Sequence, residues 1–160
     1  MPEMTALGWF HTVLGIAALL SGIMSFARHR LIASSHREGQ IYLVCTLITA
    51  ISALGIYNQG GFGVAHILAL LTLGAVAVGG VAEKTQLLGG LSKYVQAITY
   101  SATFLFHMIP AITDGLMRLP VGDPIVTNIQ DPLLRGFYLA FLVAYLLSTL
   151  LQILYLKKQA

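Results

Sequence analysis

The sequence predicts an all-α fold, a polytopic membrane helix bundle of five transmembrane helices that forms a single domain over residues 1–160. Of the 160 residues 57% are hydrophobic and only 9% are charged, whereas a soluble domain carries roughly 25% charge because its surface faces water. The mean hydropathy of +0.81 says the same. The apolar residues also fall in runs of about twenty, the length that crosses a hydrocarbon core of about 30 Å as a helix. A transmembrane barrel would instead show segments of about ten residues with strict alternation. Helices satisfy their own backbone groups, which lipid cannot do for them.

The first helix is expected over about residues 5–27, ending at the charged turn that begins with Arg28-His29-Arg30. Its apolar run is too long for a signal-peptide core, has no basic segment before it and meets no small-residue cleavage site, so it reads as a retained helix. A second helix is expected over about 39–57, stopped by Asn58-Gln59-Gly60-Gly61. The third covers about 62–82 and is followed by a short polar loop from Glu83 to Gly90. The fourth covers about 91–112, with Pro110 expected to kink or end it. Residues 113–131 hold Pro120 and Pro124 and no long apolar run, which predicts an extramembrane loop. Pro132 suits the first turn of a fifth helix over about 132–156.

Lysine and arginine set the expected orientation. Arg28, Arg30, Arg37, Lys84, Lys93, Lys157 and Lys158 fall on one side of the predicted bundle, and only Arg118 and Arg135 on the other. The basic side is then cytoplasmic, which places the N-terminus and the 113–131 loop outside and the C-terminus inside a bacterial cytoplasmic (inner) membrane. The net charge of +3 marks topology, not nucleic acid, because no basic cluster interleaves with aromatics. The one cysteine, Cys45, excludes an internal disulfide and any multi-cysteine metal centre.

Five histidines in so apolar a chain are the informative excess. His29 and His36 lie in the first cytoplasmic loop and read as interfacial. His11, His66 and His107 lie on three separate predicted helices, each about 6–10 Å below the outer surface at 1.5 Å per residue. Intramembrane ionisable groups are functional candidates. On the first helix Gly8, His11, Gly15, Ala18, Gly22 and Ser25 recur at three- and four-residue steps, a small-residue stripe that admits a neighbouring helix, a flat cofactor or a second copy of the chain. Polar residues share a face on the second helix (Tyr42, Cys45, Thr49, Ser52), the fourth (Gln96, Tyr100, Thr103, His107, Asp114) and the fifth (Arg135, Tyr138, Tyr145, Gln152, Tyr155).

Three chemistries fit these histidines. Two of the three would be axial ligands of a b-type haem, with Arg118 and Arg135 on its propionates, in a small membrane redox protein exchanging electrons with quinol or an outer acceptor. Tyr100 and Tyr138 would then hydrogen-bond a quinone head group. Alternatively all three, with Asp114, would hold zinc or copper. In the third case they only hydrogen-bond between helices, in an accessory subunit or small transporter without a cofactor. No helical H-E-x-x-H, G-x-S-x-G or phosphate-binding loop supports a protease, a hydrolase or a nucleotide enzyme.

The stretch His36-Arg37-Glu38-Gly39-Gln40-Ile41-Tyr42 resembles the HRxxGxxY signature of an uncharacterised family of bacterial predicted membrane proteins, with one residue fewer between Arg37 and Gly39, and Phe62…His66…Leu70-Leu71-Thr72-Leu73 is similar to the same family. The likeness covers about the first three helices. Many members carry a second His-Arg turn before the fourth helix, where this chain has Gly90-Leu91-Ser92-Lys93. The resemblance implies a small helical bundle and a role for His36 beyond topology, and it implies no activity.

Overall fold

The computed structural model describes residues 4–57 and 61–159. Five α-helices follow one another: α1 (Ala6–His29), α2 (Arg37–Ala53), α3 (Val64–Thr85), α4 (Ser92–Arg118) and α5 (Pro132–Lys158), with a 3-10 turn at Gly89–Leu91 leading into α4. Four of the long segments, those of α1, α3, α4 and α5, are long and apolar enough to cross a membrane. α2 has 17 residues, about 25 Å at 1.5 Å per residue.

Local chemistry sets the helix ends. The Thr5 hydroxyl accepts a hydrogen bond from the Gly8 N–H at 3.1 Å and opens α1. Arg30, left-handed at φ 64, closes it by donating its N–H to the Phe26 carbonyl at 2.9 Å. The turn into α2 is so tight that a Cβ on Gly39 would collide with the Ala33 carbonyl, so only glycine fits there. The Asp131 carboxylate accepts from the Leu133 N–H at 2.8 Å and Pro132 fills the first turn of α5, as its sequence predicts.

Three expected boundaries move. α2 stops at Ala53, short of residue 57; of the expected breaker, Asn58, Gln59 and Gly60 lie outside the described residues. α3 runs on through Glu83 to Thr85, so Glu83 is helical and not part of a loop. α4 passes Pro110 and continues to Arg118, which shortens the expected 113–131 loop to residues 119–131. Proline removes one N–H from a helix, and buried neighbours can satisfy the carbonyl it frees. Pro120 is the residue that stops α4, because the residue before a proline is forced out of the α region: Leu119 sits at φ -118, ψ 139.

α4 is central. It packs against α3 and α5 along its length and touches α1, while α1 packs on α2 and α2 on α3. The core is made of Ala18, Ile32, Tyr42 and Tyr100, flanked by Phe26, Leu43, Cys45 and Phe104. The small-residue stripe of α1 faces inward, with Gly8, Ala18, Gly22 and Ser25 buried. At Gly22 a Cβ would stand 2.9 Å from both the Phe104 and Tyr42 rings, so glycine is what lets α2 and α4 close on α1. Large apolar side chains such as Ile16, Leu20, Leu70, Leu139, Leu147 and Leu151 point outward, the inverse of a water-soluble fold. The 119–131 segment folds back on α4, with the Val126 N–H on the Leu116 carbonyl at 3.0 Å and Val126 buried beneath it.

Candidate functional site

His11 and His107 converge on one cleft of about 940 Å³ at the end of the bundle where α1 begins and α4 ends. Trp9, Gly15, Ile16 and Leu19 of α1 line one side, Pro110, Asp114 and Arg118 of α4 the other, and Leu119, Gly122 and Pro124 of the folded-back segment its end. The volume is that of a small-molecule site, mostly apolar with a few convergent polar groups.

The state of the His11 ring follows from its partners. Nδ1 lies 3.1 Å from the Thr49 carbonyl and 3.2 Å from the Ser52 hydroxyl. The Ser52 hydroxyl itself donates to that carbonyl at 2.9 Å. A carbonyl only accepts, so Nδ1 of His11 carries the proton and donates. In the neutral ring Nε2 is then left with its lone pair, as in histidines that bind metals or take protons. α2 thus orients a side chain of α1 through one backbone oxygen.

His107 is buried more deeply. Its Nε2 lies 3.0 Å from the Thr46 hydroxyl, and its ring stands edge-on to Tyr42 at 6.2 Å between centroids. Asp114, exposed at the cleft, pairs with Arg118 one helical turn on, at 3.6 Å between Oδ1 and Nε. Arg118 therefore has an internal partner at the rim.

His66 does not join them. It is buried at the start of α3, where its Nδ1 accepts from the Gly63 N–H at 3.1 Å, and its ring lies between Tyr57 and Phe62 at 4.7 and 5.0 Å. Depth alone put the three imidazoles together in the sequence; the helix faces separate them. Among the described residues, no group of three or more His, Cys, Asp or Glu side chains is arranged to hold a metal ion. Tyr100 and Tyr138 are also apart. The Tyr138 hydroxyl meets that of Thr113 at 2.7 Å near the cleft, whereas the Tyr100 hydroxyl donates to Glu83 at 3.0 Å toward the opposite end. Arg135 is exposed on the first turn of α5 and does not line the cleft.

Glu83 is the polar centre that sequence reasoning missed. Its carboxylate accepts from the Ser34 N–H at 2.6 Å, from Gln96 at 3.2 Å and from Tyr100 at 3.0 Å, so it ties the α1–α2 turn, α3 and α4 together. Gly79, one turn before Glu83 on the same face, was the available signal. It makes room for the Tyr100 ring, which a Cβ there would approach to 2.5 Å. The stretch from His36 to Tyr42 makes contacts of its own. His36 stacks on His29 at 3.7 Å, Glu38 pairs with Arg28, Gly39 allows the turn, and the buried Tyr42 hydroxyl meets Thr103 at 2.6 Å.

Compared with protein-family models, with curated proteins and with solved structures, the chain matches none.

Proposed function

We propose that the protein is a small integral membrane protein that binds a quinol head group in the His11–His107 cleft. The supporting observation is the 3.1 Å approach of His11 Nδ1 to the Thr49 carbonyl, which assigns the proton to Nδ1 and leaves Nε2 as a lone-pair acceptor on a residue lining the cleft. A quinol presents a hydroxyl to such a nitrogen and an apolar tail to lipid. His11 accepts the hydroxyl's hydrogen bond, with the Asp114–Arg118 pair at the rim of the cleft.

A b-type haem is the second reading, because an imidazole so oriented is also the usual form of an axial ligand. The donor set supplies one such nitrogen. His107 has its Nε2 on Thr46 and His66 stands elsewhere, so a bis-histidine haem fits this cleft less well than a quinol. For zinc or copper the donors are not brought together: His107 has its Nε2 on Thr46, Asp114 pairs with Arg118, and His66 stands elsewhere.

All five helices cross the bilayer in this reading, with the cleft outside and the C-terminus in the cytoplasm of a bacterial cell. The lysine and arginine distribution supports it.

Two measurements on the purified protein test the site. A quinol analogue bound in detergent should be weakened about tenfold by His11→Ala, the loss of one good hydrogen bond, and unchanged by His66→Ala. An absorption spectrum from a haem-replete host addresses the second reading. A Soret band lost in His11→Ala would establish haem, and a colourless protein that binds no quinol analogue would sink both.

A further inference from the structure

At the opposite end of the bundle α1 and α5 leave a trough between them, because α5 packs on α4 while α1 packs on α2 and α4. The trough encloses about 690 Å³ and is lined by Phe26, Leu147, Leu151 and Leu154, with Arg30 and Lys158 at its end. From Ala144 to Lys158 it follows α5 for about 20 Å at 1.5 Å per residue, the order of one acyl chain.

Two cations, Arg30 and Lys158, stand at its mouth. Arg28 pairs with Glu38 and Arg118 with Asp114, but among the described residues no acid pairs with Arg30 or Lys158. The Arg30 guanidinium instead lies 5.0 Å over the Tyr155 ring, which holds it over the trough. Arg30 reaches that position because it ends α1 in a left-handed conformation at φ 64.

We propose that this trough is a binding site for one anionic phospholipid, its phosphate between Arg30 and Lys158 and one acyl chain along Leu147, Leu151 and Leu154. Basic pockets between membrane helices take anionic head groups in this way. A free phosphate has no use for the apolar length, and a neutral lipid has none for the two cations. The site rests on the chain lying in a bilayer and is independent of the quinol reading.

Native mass spectrometry of the detergent-purified protein, titrated with phosphatidylglycerol or with phosphatidylcholine of the same chains, tests it. The expected result is a preference for phosphatidylglycerol that Arg30→Gln and Lys158→Gln each reduce by about fivefold. Arg30→Lys should keep the preference. Leu151→Trp, which fills the trough, should weaken both lipids. Arg37→Gln with Lys84→Gln, at the same end but off the trough, should change nothing. Equal losses in that control pair would mean diffuse charge and overturn the site. Displacement of phosphatidylglycerol by millimolar inorganic phosphate alone would also overturn it, since the acyl chain would then contribute nothing. All the charge variants are at exposed positions, so a folded elution profile is expected throughout.

Discussion

Single atoms decide several positions in this bundle. At Gly79 the Tyr100 ring occupies the space a Cβ would need, and that ring cannot step aside because it is buried and its hydroxyl is held by Glu83. Gly79→Ala is expected to destabilise by about 1–3 kcal/mol, the usual cost of overpacking. Gly74, with nothing near its Cβ position, is the internal control: Gly74→Ala should be neutral or gain up to about 1 kcal/mol of helix propensity. Thermal melting of the two variants in the same detergent checks the pair, and equal shifts would contradict it. At this scale the sequence was partly legible. His11, His107 and Asp114 share a cleft, and depth along their helices was enough to group them. His66 has the same depth on a different face, and one sequence of apolar side chains does not say which way α3 is turned.

Helices α3 and α4 show how far an element can depart from its hydropathy profile. Glu83 reads as the start of a loop because a carboxylate rarely sits in an apolar helix. It stays helical because Ser34, Gln96 and Tyr100 bring it three donors, and those partners are far off in sequence. Removing the acceptor should be worse than weakening it. Glu83→Ala leaves three donors without their partner and is expected to cost about 1–3 kcal/mol, whereas Glu83→Gln retains one amide oxygen and should cost less. Urea or SDS titration of both variants reads the order, and an Ala variant as stable as the Gln variant would refute it. The end of α4 was misplaced for a related reason. Of two prolines, Pro110 lies inside a packed helix that tolerates it, and Pro120 lies where the chain leaves that packing. Sequence shows two prolines and does not show which has neighbours.

The whole molecule has seven of its nine lysines and arginines at one end and its cleft at the other. Helix number and class were legible from composition and run length, since both follow from the solvent a chain must face. Whether α2, with 17 residues, crosses completely is a question about the entire topology, and two cysteines answer it. In a Cys45→Ser background, Ser35→Cys lies in the α1–α2 turn and Asp123→Cys in the α4–α5 segment, both exposed. Five spans place them on opposite sides, so an impermeant maleimide added to intact spheroplasts should label Asp123→Cys and leave Ser35→Cys until the membrane is opened. The reverse pattern would invert the orientation, and labelling of both from one side would reduce the span count. The 119–131 segment, folded back over α4 and lining the end of the cleft, has a consequence for how occupancy is measured. With the chain itself lining that end, a quinol bound as proposed would reach His11 from the lipid beside α1 and α4. Its occupancy then follows its mole fraction in the bilayer: empty vesicles added at fixed total quinol should drain the site, while the same volume of buffer leaves it filled.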